Sequence, residues 1–304
     1  MVADSVMIAM IFTAIMSGAA VVAPFAVIYF MARKKETGTL SSFGLGLLAY
    51  FWSQYLLPIP ILLLLTKMGW FMKVYETDNL YVVYLLITAL LLSSLASLGR
   101  VWCIWLMNRK VPSLYRAMSS AVGFASFKAV SVLASYLSYY NYIKIFNTQG
   151  RDELMKVLTA SGAVNSENAA SMIDNLTQAG AFDAAMQGVN VFMSLLVEIA
   201  LIIIIYEGYV RKKTVIATVI SGAAGFAYSF FGMLINALGS DEMGHVVGEN
   251  SVALLYDAYV FACALAAAWI IVNAFNRYKR VLAEGPYALA YFERKDKKKS
   301  EKDK

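Results

Sequence analysis

"SLLVEIALIIIIYEGYVRKK", residues 194–213, decides the class of fold. From Ser194 to Val210 the only charged residues are Glu198 and Glu207, and the run then stops at three basic residues, Arg211, Lys212 and Lys213. A helix needs roughly 20 apolar residues to cross the hydrocarbon core of a bilayer. Lys and Arg collect at the cytoplasmic ends of such helices. The whole chain has the same character: of its 304 residues 60% are hydrophobic and 15% charged, where soluble domains carry about 25% charged residues. Its 19 tyrosines and 17 phenylalanines suit the interfaces of a bilayer.

Seven stretches are long and apolar enough to span: about 5–32, 41–66, 79–107, 114–146, 186–210, 214–238 and 251–275. The expected fold is all-α, a polytopic membrane helix bundle of about seven transmembrane helices. Every second boundary is basic: "RKK" (33–35), "NRK" (108–110), "RKK" (211–213) and "NRYKR" (276–280). The alternate loops are acidic, with Asp152, Glu153, Glu167, Asp174 and Asp183 in one and Asp241, Glu242 and Glu249 in the other. This asymmetry predicts an N-terminus outside and a C-terminus in the cytoplasm. The start of the chain lacks the charged n-region and short h-region of a cleaved signal, so its first apolar run is expected to span and stay. A multi-pass protein of the cell membrane, in a bacterial plasma membrane, is the expected location.

A transmembrane domain over 1–280 is expected, followed by a basic juxtamembrane tail over 281–304. The exterior loop, about 147–185, holds two short helical patterns, "RDELMKVLTA" and "SENAASMIDNLTQAG", with Ser166 as N-cap and Gly180 as stop. They either cover the mouth of the bundle or merely connect two spans. In the tail, Lys297, Lys298 and Lys299 are candidate contacts for anionic lipid headgroups. Because the positive charge gathers there, the net charge of +6 does not point to nucleic acid. Pro58 and Pro60 interrupt the second span and predict a bend, or a cavity where freed carbonyls meet water.

Ionisable residues at membrane depth are suspects for function. Glu207 lies close to Arg211, and Asp257 close to the outer end of its span, so both reach water. Arg100 is nine residues from Arg109, about 13 Å along a helix. Lys128 is twelve residues from Arg116 and Glu198 thirteen from Arg211, which puts both about 18–20 Å deep. An isolated charge there costs at least about 2.5–3.5 kcal/mol. Equal depth and opposite sign predict a Lys128–Glu198 ion pair between the fourth and fifth spans. The alternatives are neutral groups or a proton or substrate relay. A Ser–Lys dyad would draw on Ser126, Ser131 or Ser135, and Ser131 shares a helix face with Lys128.

Metal-dependent hydrolysis needs several convergent ligands, with His prominent. The chain has one histidine, His245, in a loop, and neither a CxxC nor an HExxH motif. Its two cysteines, Cys103 and Cys263, fall inside spans and read as small apolar residues. No metal and no cofactor are expected.

Three segments together carry a resemblance: "APFAVIYFMARKK", "YFWSQYLLPIPILLLLTKMGWF" and "EIALIIIIYEGYVRKK". With the order of spans and the long loop, the chain resembles the YhfC family of intramembrane proteases, of glutamic or metallo type. These are similar to the glutamate-type CAAX-processing and PrsW-like enzymes. The resemblance implies a Glu-Glu-x-Gly-Arg stretch, then Gly-His-Gly-x-x-Glu-Ala, then further histidines. Against the first stands "LASLGRVW" (95–102), where Gly99 and Arg100 match and Ala96 and Ser97 replace the glutamates. Against the second stands "GFASFKA" (123–129), where Gly123 and Ala129 match, Phe124 replaces the histidine and Lys128 the glutamate. Glu198 takes the place of a later histidine, and "GFAYSFFG" in the sixth span has none.

The expectation is therefore a frame without its chemistry: a non-catalytic scaffold or binding protein with no catalytic residue. Its candidate polar site is Lys128, Glu198, Arg100 and Ser131. Its partners are membrane lipids, with a peptide or a partner's transmembrane helix open. Nucleic acid is not expected, and the sequence does not specify an oligomer. The rivals are an active protease with unorthodox residues and a transporter or permease subunit.

Overall fold

The computed structural model describes residues 2–32, 38–77, 80–107, 113–160, 165–178, 180–240, 243 and 246–283. Among them are helices and no strands. Seven helical segments are long and apolar enough to cross a membrane, as the sequence predicts. The first is α1 (Asp4–Ala32). The second starts as α2 (Thr39–Phe51) and ends as α3 (Pro58–Thr66). After the short α4 (Gly69–Glu76) come α5 (Tyr81–Met107) and α6 (Leu114–Gln149). The loop helices are α7 (Arg151–Thr159) and α8 (Ser166–Gln178). The last three spans are α9 (Ala181–Val210), α10 (Thr214–Ala237) and, within α11 (Glu249–Ala283), Ser251–Tyr278. The helix α4 was not foreseen in the sequence. The basic clusters at 33–35 and 108–110, and the tail with Lys297, Lys298 and Lys299, lie outside the described residues.

The hub is α9, which packs against α1, α5, α6, α10 and α11. Its most apolar stretch is 67% buried, against 22% for α10 and for the last span. That explains its sequence: a helix surrounded on all sides can be apolar all round, as "IALIIII" is. Ile199, Ile202, Ile203 and Ile205 join Phe124, Ile104 and Leu114 in the main core.

Two glycines let α2 and α6 meet backbone to backbone. A Cβ on Gly46 would strike the Ser120 carbonyl, and one on Gly123 the Phe43 carbonyl. Small residues at such crossings are how membrane helices gain close packing, since lipid supplies no hydrophobic drive between them.

The second span is broken as the prolines require. A π-helical turn, Trp52–Leu56, ends α2, and Pro58 opens α3 at a first-turn position where its missing N–H costs nothing. The break turns Gln54 toward α5, where its Nε2 donates to the Leu92 carbonyl at 3.2 Å.

The loop helices are more than a connector. Leu154 and Leu158 of α7 pack on Ala169 and Ile173 of α8, and Leu176 joins Ile143, Met10 and Ala184 at the end of the bundle. Arg151 and Asp174 tie the pair together at 2.8 Å. The N-cap of α8 is Asn165, not Ser166: its Oδ1 accepts the Asn168 backbone N–H at 2.7 Å. Ser166 instead begins the helix. At the same end, Asn147 accepts the Val2 N–H at 2.8 Å and donates to the Val2 carbonyl at 3.1 Å.

Candidate functional site

Halfway along the bundle, α5, α6, α9, α10 and the π-turn enclose a cavity of about 200 Å³. Three Arg, Lys or Glu side chains line it: Arg100 from α5, Lys128 from α6 and Glu198 from α9. The polar site foreseen in the sequence is thus assembled, except for Ser131, which is exposed and does not line the cavity.

The pairing differs from the one expected. Glu198 is held by Arg100, not by Lys128. Arg100 Nε donates to Glu198 Oε2 and its Nη2 to Oε1, both at 3.0 Å. The closest approach of the pair is 2.9 Å. Lys128 makes no hydrogen bond or ion pair among the described residues. Side-chain direction accounts for the difference. A helical side chain leans toward the N-terminus of its own helix. Spans that alternate in direction, as the basic and acidic boundaries predict, make α5 and α9 parallel and α6 antiparallel to both. The long arginine stem therefore climbs the roughly 6 Å that separates Arg100 from Glu198 in depth. Lys128 lines the same cavity without a hydrogen bond to Glu198 among the described residues. A guanidinium also presents two parallel N–H groups that fit a carboxylate, which an ammonium does not.

Arg100 is 3% exposed. Its Cζ lies 5.4 Å from the centre of the Phe124 ring, so the cation also rests on an aromatic face. Gly225 of α10 closes the other side; a Cβ there would stand 3.3 Å from Arg100 Nη1. That nitrogen is buried and has no hydrogen-bond partner among the described residues. Ala96 and Phe124, two positions where the family resemblance led one to expect a glutamate and a histidine, line the cavity. The third, Ser97, is buried beside Gly222 with its hydroxyl unpartnered among the described residues.

The hydrolytic alternatives find little support in this geometry. The Ser126 hydroxyl donates to the Val122 carbonyl at 2.6 Å, within its own helix. No serine hydrogen-bonds to Lys128 among the described residues. A divalent cation needs several carboxylate, imidazole or thiolate donors. Among the described residues no three His, Cys, Asp or Glu side chains converge. The one carboxylate in the cavity already accepts two guanidinium hydrogens, and the other two ionisable side chains are cations that repel a metal. His245 lies outside the described residues. These residues do not fit a metal ion.

Sequence reasoning missed three lining residues of use here. Gln54 and Tyr50 enter through the π-turn and the end of α2, and Tyr228 through α10. The only signal for Gln54 was the pair of prolines behind it.

Comparison with known proteins agrees with the architecture. No curated protein and no solved structure matches the chain. The model of the YhfC intramembrane metalloprotease family matches residues 19–239, a stretch that runs from α1 to the end of α10 and contains the whole cavity. On that match the chain belongs to the YhfC intramembrane metalloprotease family.

Proposed function

We propose that this protein is a non-proteolytic member of its family, in which the intramembrane cavity binds a ligand or a partner and does not hydrolyse a peptide bond. The observation that carries the reading is the Arg100–Glu198 pair. A carboxylate that activates water must be within reach of that water. A carboxylate that holds a metal must offer its oxygens to it. Glu198 gives one lone pair of each oxygen to Arg100, and among the described residues no second acidic or imidazole side chain lines the cavity to share either task. The family name implies a metal, and the donor set described above does not suit one.

The test is a cleavage assay on single-span substrates in proteoliposomes, with wild type and Glu198→Gln side by side. The expected result is no product from either. Product from wild type that disappears in Glu198→Gln overturns the reading.

We also propose a plasma-membrane location; the basic ends of the spans favour an N-terminus outside and a C-terminus in the cytoplasm. Arg211, at the end of α9, is one described residue that supports this orientation.

A further inference from the structure

Two donors at the cavity lack an acceptor. One is the Lys128 ammonium, which has no hydrogen bond or ion pair among the described residues. The other is Arg100 Nη1, buried against the Gly225 wall without a partner among the described residues. Of the residues lining the cavity Lys128 alone is exposed, so it stands at the rim while Arg100 lies at the bottom. With Lys128 protonated, two cations face one carboxylate, which gives the cavity one positive charge in excess. A buried donor without an acceptor, as Arg100 Nη1 is, is rare because it forfeits the hydrogen bonds it had in water. An unpaired charge inside a bilayer costs more again.

From these features we infer that the cavity takes one singly charged oxyanion, a carboxylate or a phosphodiester, bound at the Lys128 ammonium within the cavity that Arg100 also lines. The inference rests on the non-hydrolytic reading above and names what that site binds. A single negative charge matches the excess. Oxygen acceptors match N–H donors, and charge-assisted bonds of this kind are about twice as strong as neutral ones. The hydroxyls of Tyr50 and Tyr228, both lining residues, make no hydrogen bond among the described residues and are available as further donors. At about 200 Å³ the cavity has room for a headgroup and not for a folded peptide. The same chemistry comes from a free organic acid or from a lipid, and the experiment separates them.

Full-length protein in phosphatidylcholine nanodiscs is titrated with acetate, decanoate, dihexanoyl phosphatidylglycerol and uncharged dihexanoylglycerol. The readout is a saturable rise in Tm. Acetate and decanoate acting together identify a free acid, and dihexanoyl phosphatidylglycerol acting alone identifies a lipid; either supports the inference. Lys128→Gln is expected to weaken the effective anion by about tenfold, as loss of one charge-assisted bond requires. Lys128→Arg keeps the affinity, and so does Lys67→Gln, which removes an exposed lysine elsewhere. Equal response to dihexanoylglycerol, or unchanged affinity in Lys128→Gln, overturns the inference. A second measurement needs no variant: saturating anion should slow acylation of Lys128 by an amine-selective reagent, and unslowed acylation also overturns it. None of these readouts involves proteolysis, so their failure leaves the outcome of the cleavage assay untouched.

Discussion

Arg100 and Glu198 join α5 to α9 through two hydrogen bonds of 3.0 Å, at the bottom of a cavity whose rim carries Lys128. The pair sits 98 residues apart in sequence, and the cation is the more deeply buried of the two, 3% exposed against 22% for the glutamate. Glu198 therefore retains some access to the cavity while its charge is neutralised from behind.

Removing one partner leaves the other charged and unpaired. Arg100→Met or Glu198→Leu alone should destabilise the protein by about 3–5 kcal/mol. The double change, Arg100→Met with Glu198→Leu, should restore most of the loss. Lys128→Met should cost less than either single change, because Lys128 leaves no ion-pair partner behind. Thermal unfolding in detergent of the four variants measures this. A double variant no more stable than the singles contradicts the pairing.

The crossing of α2 and α6 should be intolerant of a single methyl group. Gly123→Ala places a Cβ against the Phe43 carbonyl, which is backbone and cannot swing aside. The expected cost is about 1–3 kcal/mol. Gly18→Ala, where nothing lies within 4 Å of the added carbon, should be neutral. Tm values of the two variants, measured together, decide it.

Exposed ion pairs should matter little. Arg151 and Asp174 are each about half exposed, and such pairs contribute about 0–1 kcal/mol. Arg151→Ala should leave Tm within error of wild type at 0.15 M salt. Asn147→Ala should do more locally, since it removes both bonds that hold Val2. Limited proteolysis should then trim the first residues sooner, with little change in the global Tm.

Orientation is checked by labelling. With Cys103 and Cys263 replaced by Ala, a single cysteine at Asn168 in α8 should react with a membrane-impermeant maleimide on intact cells. One at Lys213 should react only after permeabilisation. The reverse pattern would invert the proposed topology.

The spans themselves were legible along the chain, because crossing a bilayer is a matter of length and hydropathy, both properties of a contiguous segment. The structure moves most of their ends by no more than three residues; the exception is α9, which starts at Ala181, about five residues before the expected 186. The bend at Pro58 was equally local, since proline acts on its own turn. Capping of α8 was misread by one residue, as helix ends often are, because Asn165 and Ser166 are both good caps and only the Asn168 bond tells them apart.

What the sequence by itself determined is the bundle, its polar residues and the approximate depth of each charge. Only the tertiary structure decided which charges meet. Depth is one coordinate of three, and it made Lys128 and Glu198 look like partners. The packing of α5 against α9 supplied the rest: it lets the long Arg100 stem reach Glu198, while Lys128 lines the same cavity without a hydrogen bond to that carboxylate among the described residues. Contact between residues 98 apart depends on how helices pack against one another, and no single segment carries that information.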